Sequence, residues 1–290
     1  MFKFSTPQKV FTLGKIKVGG QPGENPTVLI GSIFYHGHNI VKDEKTGRVD
    51  IKAAEHLIKR QEEFSERTGN PSMLDVVGST KEAIERLIGF VADVSDAPIL
   101  VDSTSSESKI AGIKYAKEVG LEKRIIYNSL MTKTAPNEFQ AIKENGIDSA
   151  ILLAYQQAIM TSADRVAAAK ALLSNSEQAG VAKPLLDTFV IDVPSLSTAC
   201  RAMLTLKTEL GLPCGCGAHN AVSTWRGLKK RMGIHDVQPC AVATNVAPVV
   251  LGADFILYGP IEHCEYVFPA VYAIDTSYRY LYRAKDQWEI

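Results

Sequence analysis

The stretch Ala97–Ser108, "APILVDSTSSES", decides how the chain is read. Pro98 to Val101 is a short apolar run, the pattern of a strand buried on both faces. It stops abruptly at Asp102 and a string of hydroxyls, and from Ser106 an amphipathic helical period takes over. Asp102 is therefore either the N-cap of that helix or a carboxylate displayed at the lip of a core strand.

The same unit recurs along the chain. Strands are expected at "TVLIGSIF", "SMLDVVG", "PILVDST", "RIIYNSL", "SAILLAYQ", "TFVIDV", "LPCGCG" and "FILYGP". Helical periods lie between them, as over Asp50–Thr68, Lys81–Val91, Ser106–Val119 and Ala163–Gln178. Eight β-runs with helical crossovers predict an α/β fold, a closed (β/α)8 TIM barrel, in a single domain over residues 1–290. An open doubly wound sheet shares this periodicity. Residues 1–25, containing "GGQPGEN", read as a turn-rich leader into the first strand.

Composition excludes several classes. Lys+Arg and Asp+Glu are both 32, so no field favours nucleic acid or an anionic membrane. The opening "MFKFSTPQKV" has no apolar signal core, and Cys240–Gly259 is interrupted by Asn245, Pro248, Gly252 and Asp254, so no membrane insertion is expected. Five cysteines, an odd number, suggest reduced thiols and a cytoplasmic protein.

In a (β/α)8 barrel the active site lies at the C-terminal ends of the strands. Those ends hold Asp75, Asp102, Asn128, Gln156, Asp192 and, after "CGCGAH", Asn220. Asp accepts hydrogen bonds and Asn both donates and accepts, which suits a neutral heterocycle with ring N–H, amino and carbonyl groups. A phosphate would call for Arg, Lys or glycine-rich nests instead. "GCGAHN" lacks the last glycine of a dinucleotide fingerprint, and there is no G-x-x-x-x-G-K-[ST]. Cys214, Cys216 and His219 raise zinc, but two cysteines two apart on a strand are also small buried hydrophobes, and no metal is expected. His36 and His38 in "FYHGHN" read as loop surface or a partner contact. Asp148 and Asp254 precede strands, at the end of the barrel where stability roles are the default. The tail "TSYRYLYRAKDQW" reads as packing or a subunit interface, so a homodimer is expected. No Asp-x-His-x-x-Gly motif of the cobalamin-binding type is present.

The segments "GGQPGENPTVLIGSIFY", "LDVVGST", "ILVDSTS", "YNSL" and "GCGAHN" resemble the H component of the tetrahydromethanopterin S-methyltransferase complex and the methyltetrahydrofolate:corrinoid methyltransferases. The likeness is greatest to the type that acts in glycine betaine demethylation, within a wider pterin-binding barrel superfamily. The resemblance implies that Asp102, Asn128 and Asp192 anchor the pterin ring and that Asn220 sits near N5. It implies a first contact for Asp75 as well, although Val76 replaces the Asn that several relatives carry there. On this resemblance the chain is a methyltransferase of one-carbon metabolism and methylotrophy. It moves a methyl group between N5 of tetrahydrofolate and a corrinoid, methylcobalamin or cob(I)alamin, held on a corrinoid-binding partner protein, with Asn220 and Asp102 catalytic. The alternatives are the same transfer with tetrahydromethanopterin in an archaeal membrane-linked complex, and a non-catalytic docking role.

Overall fold

A strand's side chains alternate between its two faces, and here that alternation separates a barrel interior from a surrounding helical layer. In the computed structural model, which describes residues 1–157, 160–233, 235 and 237–290, the barrel strands are β1 (Val28–Ile33), β2 (Ser72–Val77), β3 (Ile99–Asp102), β4 (Ile125–Leu130), β5 (Ser149–Leu153), β6 (Lys183–Asp187), β7 (Cys214–Cys216) and β8 (Phe255–Pro260). They pair in parallel and in sequence order, and β8 closes on β1 through Phe255↔Val28 and Ile256↔Leu29. The closed (β/α)8 barrel is confirmed and the open sheet excluded.

Val28, Ile30, Met73, Leu100, Ile126 and Ile151 belong to the inner core. Their neighbours Leu29, Leu74, Val101 and Tyr127 belong to the outer core, under the helices. Continuing the inward positions towards the strand ends gives Ser32, Asp75, Asp102, Asn128, Leu153 and Asp187. The same two-residue period makes the barrel's inside apolar at its base and acidic at its mouth.

Helix starts follow side-chain capping. Asp50 accepts from the Ala53 N–H ahead of α1 (Ile51–Thr68) and Thr80 from Ala83 ahead of α2 (Lys81–Val94). Ser105 accepts from Ser108 ahead of α3 (Ser106–Glu118). Ser105, not Asp102, caps α3. Farther along lie α4 (Pro136–Glu144), α5 (Ser162–Gln178), α6 (Val193–Leu210), the short α7 (Asn220–Ser223) and α8 (Leu228–Met232), α9 (Val237–Val250) and α10 (Cys264–Ala284).

Two sequence expectations need correction. The sixth strand is "KPLLD", not "TFVIDV": β6 ends at Asp187, in register with Leu153 and Gly215. Asp192 instead starts α6 in a capping box, its carboxylate accepting from Ser195 N at 2.9 Å and the Ser195 hydroxyl accepting from Asp192 N at 2.9 Å. The leader is also more than an approach to the first strand. Val10–Leu13 and Ile16–Gly19 form a hairpin whose Leu13 and Val18 complete the inner core at the base of the barrel. Lys207 and Asp254 pair inside the protein near this base, and Asp254 also accepts from the Cys214 N–H at 2.8 Å. Asp148 holds Lys183 at 3.0 Å. Both acids are held in ion pairs at this end of the barrel, away from the mouth.

On α10, Val267, Phe268, Val271 and Tyr278 are buried, whereas Tyr272, Tyr280 and Tyr282 are exposed. No described helix is long and apolar enough to cross a membrane.

Candidate active site

A cavity of about 550 Å³ opens at the mouth, lined by Ser32, Tyr35, Asp75, Asp102, Asn128, Asp187, His219 and Asn220 among others. Of the expected site residues, Asp75, Asp102, Asn128 and Asn220 are brought together here. Asp192 is not; it is exposed. Asp187, the last residue of its strand, occupies the inward position on β6 and is only 4% exposed. Gln156 lies exposed beyond the end of β5, where the inward Leu153 lines the cavity in its place.

One wall is a hydrogen-bonded set from β1, β2 and β4. Asp75 accepts from the Ser32 hydroxyl at 2.7 Å through one oxygen and from Asn128 Nδ2 at 2.9 Å through the other. Register places Ser32 beside Asp75 and Asp102 beside Asn128. With its Nδ2 committed to Asp75, Asn128 keeps its Oδ1 as an acceptor for a ligand N–H. Burial holds the Asp75 carboxyl above the ordinary range, against the pull of the Ser32 and Asn128 hydrogen bonds. Asp102 is pushed well above that range by burial and then by the Asp75 charge, while the Lys109 ammonium and the Ser103 N–H work the other way. Two neighbouring buried carboxyls resist carrying two charges, so each favours a proton on the other.

Lys109 supports the wall from behind. Its ammonium donates to Ser129 O at 3.1 Å, pairs with Glu138 at 3.1 Å and lies 4.7 Å from the Tyr127 ring centre. Tyr127 donates its hydroxyl to the same Glu138. This buried group fixes the end of β4, where Asn128 sits.

The opposite wall follows β6 and β7. Burial raises Asp187 to about 6, against the hydrogen bonds from the Phe189 and Gly217 N–H groups. At neutral pH it is mostly a carboxylate, ready to accept. Phe189 takes a left-handed backbone with φ of 60°, which a non-glycine residue adopts only when its surroundings fix it. Arg165 supplies the fixing: its Nε donates to Thr188 O at 2.9 Å and Phe189 O at 3.2 Å, its Nη1 to Met160 O at 2.5 Å.

Gly215 and Gly217 continue β7 inward. A Cβ at Gly215 would lie 2.0 Å from Phe255 O, so only glycine fits. The alternate positions, Cys214 and Cys216, belong to the outer core and cannot converge with His219 on an ion inside the mouth. Among the described residues no group of three or more His, Cys, Asp and Glu side chains is arranged for a metal. His219 Nδ1 lies 2.9 Å from Leu257 O; a carbonyl only accepts, so Nδ1 carries the proton and Nε2 is an acceptor. Burial lowers the His219 pKa, keeping the ring neutral. Asn220 donates Nδ2 to Val190 O at 3.1 Å and makes no N-cap bond, since it is the first helical residue of α7.

His38 overturns its surface reading. It is 3% exposed, accepts the Phe34 N–H at Nδ1 (3.1 Å), meets Glu262 at Nε2 (2.9 Å) and stacks on Tyr35 at 4.3 Å. It therefore braces a wall of the mouth. His36 does stay at the surface, paired with Glu44. His219, weighed only as a metal ligand, and Tyr35 join the mouth without having been expected there; a His directly after the glycine-rich strand end was the available signal.

The comparisons with known proteins give this geometry a family. The model of the tetrahydromethanopterin S-methyltransferase MtrH subunit matches residues 6–290. The chain belongs to the MtrH family. Within it, the chain is 42% identical over 290 residues to the MtrH-type tetrahydromethanopterin S-methyltransferase chain of Methanopyrus kandleri, covering 93% of this chain and 90% of that relative. It is 38% identical over 280 residues to the corresponding chain of a putative mtx methyltransferase of Methanosarcina acetivorans, covering 93% and 90%. Among solved structures, the 7,8-dihydropteroate synthase of Vibrio fischeri aligns at a TM-score of 0.63 and 14% identity, covering 93% of this chain and 98% of that one. The Yersinia pestis dihydropteroate synthase solved with a pterine-sulfa conjugate aligns at 0.62 and 16%, with the same coverage. At such identities these likenesses establish the barrel fold alone.

Proposed function

We propose that this MtrH-family chain is a methyltransferase that moves a methyl group between N5 of a tetrahydropterin, tetrahydromethanopterin in the first place, and a corrinoid carried by a partner protein. The observation that carries the reading is the mouth itself: Asp75, Asp102, Asn128, Asp187 and Asn220 converge on one cavity. The 42% identical relative is named for tetrahydromethanopterin, which favours that pterin over tetrahydrofolate and over a role in glycine betaine demethylation. A purely docking protein would have no use for buried carboxyls held above their ordinary pKa in an open mouth.

Asp187 as a carboxylate would accept from the ring N–H and amino group, and Asn128 Oδ1 from a further donor. Asp187 takes the anchoring role that the family resemblance laid on Asp192. N5 of the methylated pterin is a poor leaving group, because breaking its N–methyl bond would expel an amide-like anion. A proton on N5, or a hydrogen bond that strengthens as charge develops, removes that difficulty. Asp102 is the proton holder on the β3 wall, and Asn220 stands across the barrel after β7 with an amide to direct at N5. The corrinoid supplies the cobalt centre that takes or gives the methyl group. Asp75, Ser32 and Asn128 would keep the ring aligned, which is a proximity contribution.

Methyl transfer to free cob(I)alamin, measured in parallel with methyl-tetrahydromethanopterin and methyltetrahydrofolate, tests this. The expected result is turnover with both heterocycles and a higher kcat/KM for the methanopterin. A preference for methyltetrahydrofolate would return the substrate to the folate reading. Absence of binding by either pterin in calorimetry would leave only the docking role.

A further inference from the structure

Behind the mouth lies a second cavity of about 540 Å³ with a different character. It shares His219, Ser223 and Pro260 with the first, so the two adjoin along one wall. Its own lining is largely apolar and aromatic, with Val222, Trp225, Leu228, Ala241 and Tyr266, and Gln238 and His263 as its polar members. Val222, Leu228 and Ala241 form a satellite core with Trp225 and Tyr266 packed against it, apart from the main barrel core. Aromatic side chains lining an apolar slot suit a flat ring.

One of the segments that form this cavity is cationic. From residue 217 to residue 235 the sequence has no Asp or Glu but carries Arg226, Lys229, Lys230 and Arg231. Arg226, Lys230 and Arg231 are exposed. The second cavity adjoins the acidic mouth, and exposed Arg226 stands between its lining residues Trp225 and Gly227, so the order along this face is acidic mouth, apolar aromatic slot, basic rim. A ligand matching that order has a hydrogen-bonding heterocycle, then an aryl group, then an anion.

Resting on the pterin reading of the mouth, we infer that this second cavity is the tail subsite of the same substrate: it takes the aryl group attached to the pterin ring, with the basic rim meeting the anionic end of that tail. The acceptor Nε2 of neutral His219 stands at the junction of the two cavities, where the link between ring and aryl group would pass. An isolated anion would gain nothing from the apolar slot, and an isolated aryl compound would gain nothing from the basic rim.

The test compares three reduced ligands by anaerobic calorimetry: 6-methyltetrahydropterin, which has no tail, tetrahydrofolate and tetrahydromethanopterin. In the wild type the tailed ligands should bind at least tenfold more tightly than the bare pterin. Val222→Trp, which fills the slot, should weaken both tailed ligands at least tenfold and change bare-pterin binding less than twofold. Trp225→Ala, which removes an aromatic face without adding bulk, should act in the same direction and serves if the larger substitution fails to fold. Arg226→Glu with Arg231→Glu should weaken the tailed ligands and leave the bare one unchanged. If the bare pterin binds normally and folded Val222→Trp or Trp225→Ala keeps full affinity for the tailed ligands, the tail subsite is wrong and the mouth reading stands. If neither bare nor tailed pterin binds the wild type, the mouth reading itself is wrong and the subsite falls with it.

Discussion

Replacing Asp187 by Asn should make the protein more stable and a worse pterin binder at the same time. Burial lifts this carboxyl from 3.8 to about 6. That displacement is worth about 3 kcal/mol, at about 1.4 kcal/mol per pH unit. The sign follows from proton uptake: between pH ~4 and ~6 the folded state binds more protons than the unfolded one, so stability falls as pH rises through that window. Above about 6 the whole cost is present. An amide carries no charge and escapes it. However, Asp187 accepts the Phe189 N–H at 2.8 Å and is also bonded by the Gly217 N–H, and an amide can accept only through its oxygen. Losing one acceptor returns roughly 1–2 kcal/mol, which leaves a net gain of about 1–2 kcal/mol at pH 7. Binding should move the other way, by about 1–3 kcal/mol, because the ring donors lose a charged acceptor. Urea unfolding at pH 7 and pH 4, with pterin calorimetry at pH 7, reads both quantities. The stability gain should vanish near pH 4. A variant that is less stable at pH 7 yet binds like wild type would make Asp187 a purely structural residue and refute the argument.

Wild-type pterin affinity should itself rise with pH up to about 6 and then level off, as Asp187 ionises; a flat profile between pH 5 and 7 would contradict its anchoring role. Asp192→Ala should cost about 1 kcal/mol of stability through loss of the α6 cap and leave pterin affinity unchanged, which a thermal melt beside calorimetry would show. Asn220→Ala should slow single-turnover methyl transfer by roughly 10–1,000-fold while changing affinity less than Asp187→Asn does; a normal rate would remove Asn220 from the chemistry. Lys207→Met should destabilise the protein by about 3–5 kcal/mol, because it strands the buried Asp254 carboxylate. Part of that loss should be recovered as the pH is lowered and Asp254 takes up a proton.

The strand ends are legible in the sequence, and with them Asp75, Asp102 and Asn128 as residues of one mouth. Closure of the sheet follows only from the count of β-runs. The sixth strand is misleading for a local reason. "TFVIDV" carries the β-branched residues that strands favour, whereas "KPLLD" holds a proline, which cannot donate to a sheet. Barrel closure overrides those preferences by requiring a partner for Leu153 and Gly215. The capping box at Asp192 and Ser195 is the sequence signal against that reading. His38 misleads because its partner, Glu262, lies 224 residues away, beyond any local pattern. The second cavity leaves no motif at all, since satellite packing of Val222, Leu228 and Ala241 arises only once α7, α8 and α9 are assembled.

Arg165 turns two rim segments into one object. Its guanidinium binds carbonyls at Met160 and Thr161, entering α5, and at Thr188 and Phe189, leaving β6. Neither segment can swing away without stranding a buried cation, because the acceptors it would lose are the ones that satisfy that charge. Fluctuation of this side of the mouth should therefore be all-or-none. In native-state hydrogen exchange, amides on both segments would open together with one free energy and one denaturant slope. The wall that carries Phe189 is therefore held as one piece by a residue that need never touch the ligand.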